Sequence, residues 1–175
     1  NGVLLDDAWG AFLKRENFLV GLSIDGPREL HDLYRVDKGG RPTFDKVMRG
    51  LGVLQTHGVT FNTLTVVHRE SARRPMEVYE FLQSIGSTHL QFIPLVDRVG
   101  DGESVSEASV LAEDYGTFLN TIWDHWLRHD VGRVFVQLFD VMLGVWMGQP
   151  AGLCLFRETC GDAVALEHNG DVYSC

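Results

Sequence analysis

Three thiols are the residues of this sequence best suited to binding chemistry. Cys154, Cys160 and Cys175 are its only cysteines, and all three fall within the last 22 of its 175 residues. A secreted disulfide framework uses an even number of cysteines spread along the chain, so an odd set crowded at one end points to metal instead. Three thiolates leave a tetrahedral zinc site or a cubane iron–sulfur site one ligand short. The thiol count alone permits either metal. Between the second and third thiol runs GDAVALEHNGDVYS, which reads as strand, turn and strand with Asn169-Gly170 as the hairpin signal. Such a hairpin would carry Cys175 back toward Cys160.

A second chemical stretch is GLSIDGPRELHDLYR, residues 21–35. Side chains alternate along a strand, so Leu22 and Ile24 face one way while Ser23 and Asp25 face the other. Gly26-Pro27 then turns the chain and leaves Ser23 at the mouth of the strand. Arg35 follows in what reads as a loop able to fold back over that mouth. A hydroxyl beside a guanidinium suits a small zwitterionic ligand, because arginine pairs bidentately with a carboxylate. The plainer alternative is a turn followed by a surface arginine. If Ser23 and Arg35 hold such a ligand, replacing Arg35 is expected to leave folding almost unchanged.

The elements that must position these residues alternate in kind. NFLVGLSID, VTFNTLTVV and HLQFIPLV are short and rich in branched and aromatic residues, and they read as strands. Helical spacing fills DDAWGAFLKRE, with Asp6 and Asp7 as cap candidates. It also fills TFDKVMRGLGVLQTHG, from a Thr43 N-cap to Gly58, and RRPMEVYEFLQSIG, from Pro75 to Gly86. Strands alternating with helices, about 35 residues apart, indicate repeated βα units and a parallel sheet or barrel. Ligands of such folds lie at the carboxyl ends of strands, where Ser23, Asp25, Asn62, Thr65 and Gln91 supply polar groups. Residues from Arg98 to Glu113 read as a polar surface loop. EDYGTFLNTIWDHWLRHDVG then reads as a helix and VFVQLFDVMLGVWMG as helical for most of its length, both with apolar stripes of core type. GQPAGLC breaks the pattern, which places a domain boundary near Pro150, between 1–150 and 151–175.

Composition excludes several classes. A net charge of −9 argues against nucleic acid as the partner, and 45% hydrophobic with 22% charged residues is ordinary for a globular chain. No apolar run approaches the roughly 20 residues of a membrane span, and no signal-peptide pattern is present. With its thiols clustered as for metal, the chain is expected in the cytoplasm. It starts NGVLLDDAW, without an initiator methionine, and is expected to be an internal piece of a longer protein.

The run LSIDGP followed by H-x-x-x-R, the LQFIPLV strand, the VQLFDVMLGVWMG stretch and C-x5-CG-x-A-x-A-x-EHNGDVYSC together resemble one family over essentially the whole chain. They resemble the radical S-adenosylmethionine (SAM) enzymes that carry a SPASM extension, and within them the anaerobic sulfatase-maturating enzymes. The resemblance implies an α/β fold in which this chain holds the second half of a partial (β/α)6 barrel and the start of a SPASM domain. It implies that Ser23, Arg35 and Val96 contact SAM, with Asp25 and Gln91 at comparable strand positions. Cys154, Cys160 and Cys175 match the first three ligands of an auxiliary 4Fe–4S cluster. The implied activity is that of an oxidoreductase: a 5′-deoxyadenosyl radical oxidises a Cys or Ser of a sulfatase polypeptide to formylglycine, with flavodoxin or ferredoxin as electron donor. The family's three-cysteine motif for the radical cluster is absent, so the chain alone is expected to be inactive. The rivals are another SPASM peptide maturase and a zinc-binding βα module.

Overall fold

The computed structural model describes residues 1–100, 104–159 and 163–174. The chain divides into two compact units, Asn1–Gln137 and Leu138–Cys175. The first contains α1 (Asp7–Arg15), β1 (Leu19–Ser23), α2 (Arg28–Tyr34), α3 (Phe44–Thr56), β2 (Thr60–Val67) and α4 (Arg69–Ala72). It continues through α5 (Pro75–Ser84), β3 (His89–Pro94), β4 (Arg98–Val99), β5 (Ser104–Val105), α6 (Ala112–His129) and β6 (Phe135–Val136).

The three expected strands form, and a fourth joins them. The sheet runs β1-β2-β3-β6 with every pairing parallel. Register sets Ser23 beside Leu64 and Leu64 beside Gln91. Alternate strand residues are buried: Leu22 and Ile24 around the end of β1, Thr63, Thr65 and Val67 on β2, and Leu90 and Phe92 on β3. The helices bury Val47, Leu51, Leu54, Val78, Leu82, Phe118, Ile122 and Trp126, which recur at helical spacing. Thr63 and Thr65 enter this interior because their hydroxyls are satisfied. Thr63 Oγ1 lies 3.0 Å from Ser87 Oγ, and Thr65 donates to the Ile24 carbonyl at 2.7 Å.

The helix ends follow the sequence at most positions. Asp6 caps α1 by accepting from the Trp9 amide at 2.9 Å. Thr43 occupies the N-cap of α3, yet its side chain does not cap. Asp32 does so instead, accepting from the amides of Thr43 and Phe44 at 3.0 and 2.9 Å. Two stretches differ from expectation. Residues 28–34 form α2 rather than a loop. The stretch expected as a polar loop contains a minimal antiparallel ladder of β4 with β5. The stretch from Val134, expected to be helical for most of its length, is so from Gln137, and before the helix Phe135–Val136 pairs with β3 as β6.

Helix α7 (Gln137–Trp146) runs from the end of the first unit into the second. The second unit continues with a short 3-10 helix (Cys154–Phe156) and an antiparallel hairpin, β7 (Val164–Leu166) with β8 (Val172–Ser174). The hairpin lies where Asn169-Gly170 placed it, but the loop is of another type. Glu167 N–H donates to Asp171 O at 2.9 Å, and Gly170 alone takes a positive φ, of 89°. That is a three-residue loop with glycine in the left-handed position, not a two-residue turn with both residues left-handed. Asn169 accepts from the Asp171 amide at 3.1 Å and closes the loop with its side chain. Among the described residues no helix is long and apolar enough to cross a membrane.

Candidate functional site

At the carboxyl end of β1 the chain turns through Gly26, whose φ of +128° lies in the region that favours glycine, while a Cβ there would meet Val78 at 3.3 Å. The turn delivers α2, and Arg35 follows the last residue of that helix. A cavity of about 520 Å³ opens here, lined by Ser23, Tyr34, Arg35, Asp37, Lys38 and Thr43 among others. Its size is within the roughly 300–1,000 Å³ of small-molecule sites. Ser23 and Arg35 are thus brought together as the sequence suggested. Val96 lies two residues beyond β3, is 61% exposed and is not among the residues that line this cavity. Gln91 and Asn62 line a different cavity of about 350 Å³, with Leu19, Thr60, His89 and Phe135.

Arg35 is not a free surface arginine. Its Nε donates to Asp25 Oδ2 at 2.5 Å and its Nη2 to Oδ1 at 3.0 Å, a bidentate pair. The Asp25 side chain is 4% exposed and that of Arg35 27%. Asp25 Oδ1 also accepts from the Val66 amide at 2.8 Å, which ties the end of β1 to β2. A buried carboxylate that loses its counter-charge is costly, so replacing Arg35 is expected to cost stability, where the sequence alone leads one to expect almost none.

Behind the pair runs a buried polar chain that sequence reasoning missed. His31 Nδ1 accepts from the Asp25 amide at 3.3 Å, and its Nε2 lies 3.2 Å from Thr43 Oγ1. The Thr43 hydroxyl donates to the Arg35 carbonyl at 2.7 Å. These contacts fix the neutral Nε2–H tautomer, with each group donating to the next. Burial pushes the His31 imidazole below its usual 6.5; the Asp25 charge opposes this and Arg35 adds to it. His68 is likewise pushed down, first by burial. It holds α2 from below, with Nε2 at 3.2 Å from the Leu30 carbonyl and its ring 4.7 Å from that of Tyr34. The one signal in the sequence was the spacing of His31 and Arg35, four apart and so on one helical face.

The loop after Arg35 is closed by Asp37. It accepts from Lys46 Nζ and Arg41 Nε at 2.9 Å and from the amides of Gly39 and Arg41. The Lys46 ammonium first, helped by those amides, holds its carboxyl well below the usual range. Chemically, then, the cavity offers a hydroxyl, a clamped guanidinium and an exposed aromatic ring, suited to a small ligand with a carboxylate.

Of the three thiols, Cys154 is exposed in the 3-10 helix. Cys160 and Cys175 lie outside the described residues. Among the described residues no three His, Cys, Asp or Glu side chains gather as a metal site.

No protein-family model matches the chain. Individual relatives do. A serine-type anaerobic sulfatase-maturating enzyme of Bacteroides thetaiotaomicron is 43% identical over 189 residues, covering 100% of this chain and 46% of the relative. A cysteine-type anaerobic sulfatase-maturating enzyme of Clostridium novyi is 34% identical over 177 residues, covering 100% of this chain and 47% of the relative. A solved structure of native anSMEcpe with bound AdoMet and Cp18Cys peptide superposes with a TM-score of 0.87 at 36% identity, covering 100% of this chain and 49% of that one. The chain therefore spans about half the length of the relatives it matches. Over that whole span, the chain is a homologue of the anaerobic sulfatase-maturating enzymes.

Proposed function

We propose that the chain forms one wall of the SAM pocket, and part of an auxiliary cluster site, in a radical SAM enzyme that matures sulfatases. The observation that carries this reading is the likeness over the whole of this chain, at 36% identity and a TM-score of 0.87, to about half of a protein solved with bound AdoMet. Residues 1–150 are assigned to the second half of a partial (β/α)6 barrel with its following helices, and 151–175 to the start of a SPASM domain.

Arg35 pairs with the ligand carboxylate and Ser23 hydrogen-bonds beside it, while Val96, outside the cavity those two line, meets another part of SAM with backbone and apolar surface beyond β3. Cys154, Cys160 and Cys175 fit a 4Fe–4S cluster by their chemistry, since soft thiolates are the donors such clusters take. All three thiols of the sequence are thereby used. The ligands of the radical cluster are placed in the part of the relatives that this chain does not span. SAM supplies the radical chemistry when bound; the chain orients it and shields it from water. The whole protein is read as a cytoplasmic oxidoreductase that converts a Cys or Ser of a sulfatase polypeptide to formylglycine, with a flavodoxin or ferredoxin as electron donor.

The test is calorimetric titration of the full-length protein with SAM. Ser23→Ala and Arg35→Lys should each weaken binding, by roughly the 0.5–3 kcal/mol of one lost neutral or charged hydrogen bond. Wild-type affinity in both variants would remove these residues from the pocket.

A further inference from the structure

Asp25 shares its strand face with Ser23, which makes it look like another ligand contact. Its hydrogen bonds argue otherwise. Both carboxylate oxygens are already committed, Oδ2 to Arg35 Nε and Oδ1 to Arg35 Nη2 and the Val66 amide. The residue is 3% exposed, and it does not line the cavity that Ser23 and Arg35 share. We propose that Asp25 is a positioning residue: it grips Arg35 by its Nε edge and aims the remaining guanidinium N–H groups into the cavity. The proposal rests on the reading that Arg35 meets a ligand carboxylate there.

The geometry leaves a definite remainder. A guanidinium carries five N–H groups in a rigid fork. The bond from Nε and one from Nη2 are spent on Asp25, so both hydrogens of Nη1 and the second of Nη2 are left, and one from each nitrogen points off the terminal end of the fork. That terminal end can still meet a carboxylate end-on, through two parallel N–H groups. Thr43 and His31 fix the other end of the residue, because the Thr43 hydroxyl holds the Arg35 carbonyl and His31 holds Thr43. A long side chain pinned at its backbone and at its Nε edge has little rotamer freedom left to lose when a ligand arrives.

The competing view is that Asp25 only ties β1 to β2 through the Val66 amide. Asp25→Asn separates the two views. An asparagine carbonyl can still accept from Val66, but its amide group turns donors toward the guanidinium and releases it. The experiment is calorimetric titration of the full-length protein with SAM in four forms: wild type, Asp25→Asn, Arg35→Met and the double variant. Asp25→Asn should weaken SAM about tenfold, on the scale of one hydrogen bond to a charged group. It should have no further effect in the Arg35→Met background, as expected for residues acting as a unit. Wild-type affinity in Asp25→Asn, with loss in Arg35→Met, overturns the positioning role and leaves the SAM reading standing. Equal weakening by Asp25→Asn in both backgrounds also overturns it. Wild-type affinity in Arg35→Met removes the SAM reading, and the proposal falls with it. Should Asp25→Asn not accumulate as folded protein, Asp25→Glu is measured in the same two backgrounds. Its extra methylene shifts the grip, so SAM should weaken only where Arg35 is present; wild-type affinity overturns the proposal.

Discussion

Replacing Arg35 with methionine keeps the aliphatic stem and removes the guanidinium, leaving Asp25 buried without its counter-charge. Two charge-assisted hydrogen bonds, at 2.5 and 3.0 Å, are lost. Taken singly, such bonds contribute about 1.5–3 kcal/mol each. Losing one member of a fully buried pair costs roughly 3–5 kcal/mol. Two features lower that figure here. Asp25 keeps the Val66 amide, and the Arg35 side chain is 27% exposed, so water can follow the departed group. The expected cost is therefore about 2–3 kcal/mol. Adding Asp25→Asn to Arg35→Met removes the stranded charge and should recover at least about 1 kcal/mol. Urea unfolding of the full-length protein, followed by tryptophan fluorescence, reads both numbers, with the fully buried Trp126 reporting on the first unit. A cost below about 0.5 kcal/mol for Arg35→Met, the level of an exposed pair, would refute the buried-pair argument. So would a second substitution that destabilises rather than rescues.

His31 and His68 give a pH signature. Burial lowers both folded-state values below the ordinary 6.5, so the unfolded chain binds more protons. Stability should be complete above about pH 6.5 and fall as pH drops below it, with part of the slope removed in His31→Gln; a flat stability profile between pH 6.5 and 5 contradicts this. Tyr79 is fully buried and donates to Asp130 at 2.8 Å, so Tyr79→Phe should cost about 1–2 kcal/mol, with Gln83 and Arg133 still holding the carboxylate. A thermal unfolding midpoint unchanged from wild type would show that this bond adds nothing. Cys160→Ala or Cys175→Ala in the full-length protein should lower iron content by about one cluster; full iron stoichiometry would make these thiols structural or zinc ligands.

The parallel βα order was legible because apolar runs of strand length and helical stripes alternate with clear caps, and burial follows that pattern at Leu22, Ile24, Val47 and Leu54. β6 was not legible. Two residues, Phe135 and Val136, pair with His89 and Leu90, too few to interrupt the apolar run that continues into α7. Helix α2 was hidden by its brevity and by the Gly26-Pro27 turn that opens it. Ser23 and Arg35 could be paired from alternation and chemistry, since both depend on local geometry. The Asp25–Arg35 grip could not, because it needs α2 to bring the arginine back across its own strand end. Thr43 illustrates the same limit. Its sequence position is that of a helix cap, but Asp32 takes the capping role and frees the hydroxyl for Arg35.

The most direct test of the central claim is anaerobic turnover by the full-length protein, reconstituted with iron and sulfide and supplied with reductant, SAM and a peptide carrying a sulfatase modification site. Mass spectrometry should find the peptide's Cys or Ser converted to the formylglycine aldehyde, with 5′-deoxyadenosine formed in step, and Arg35→Met should lose both together. Failure to cleave SAM, or cleavage that leaves the peptide unoxidised, would contradict the account.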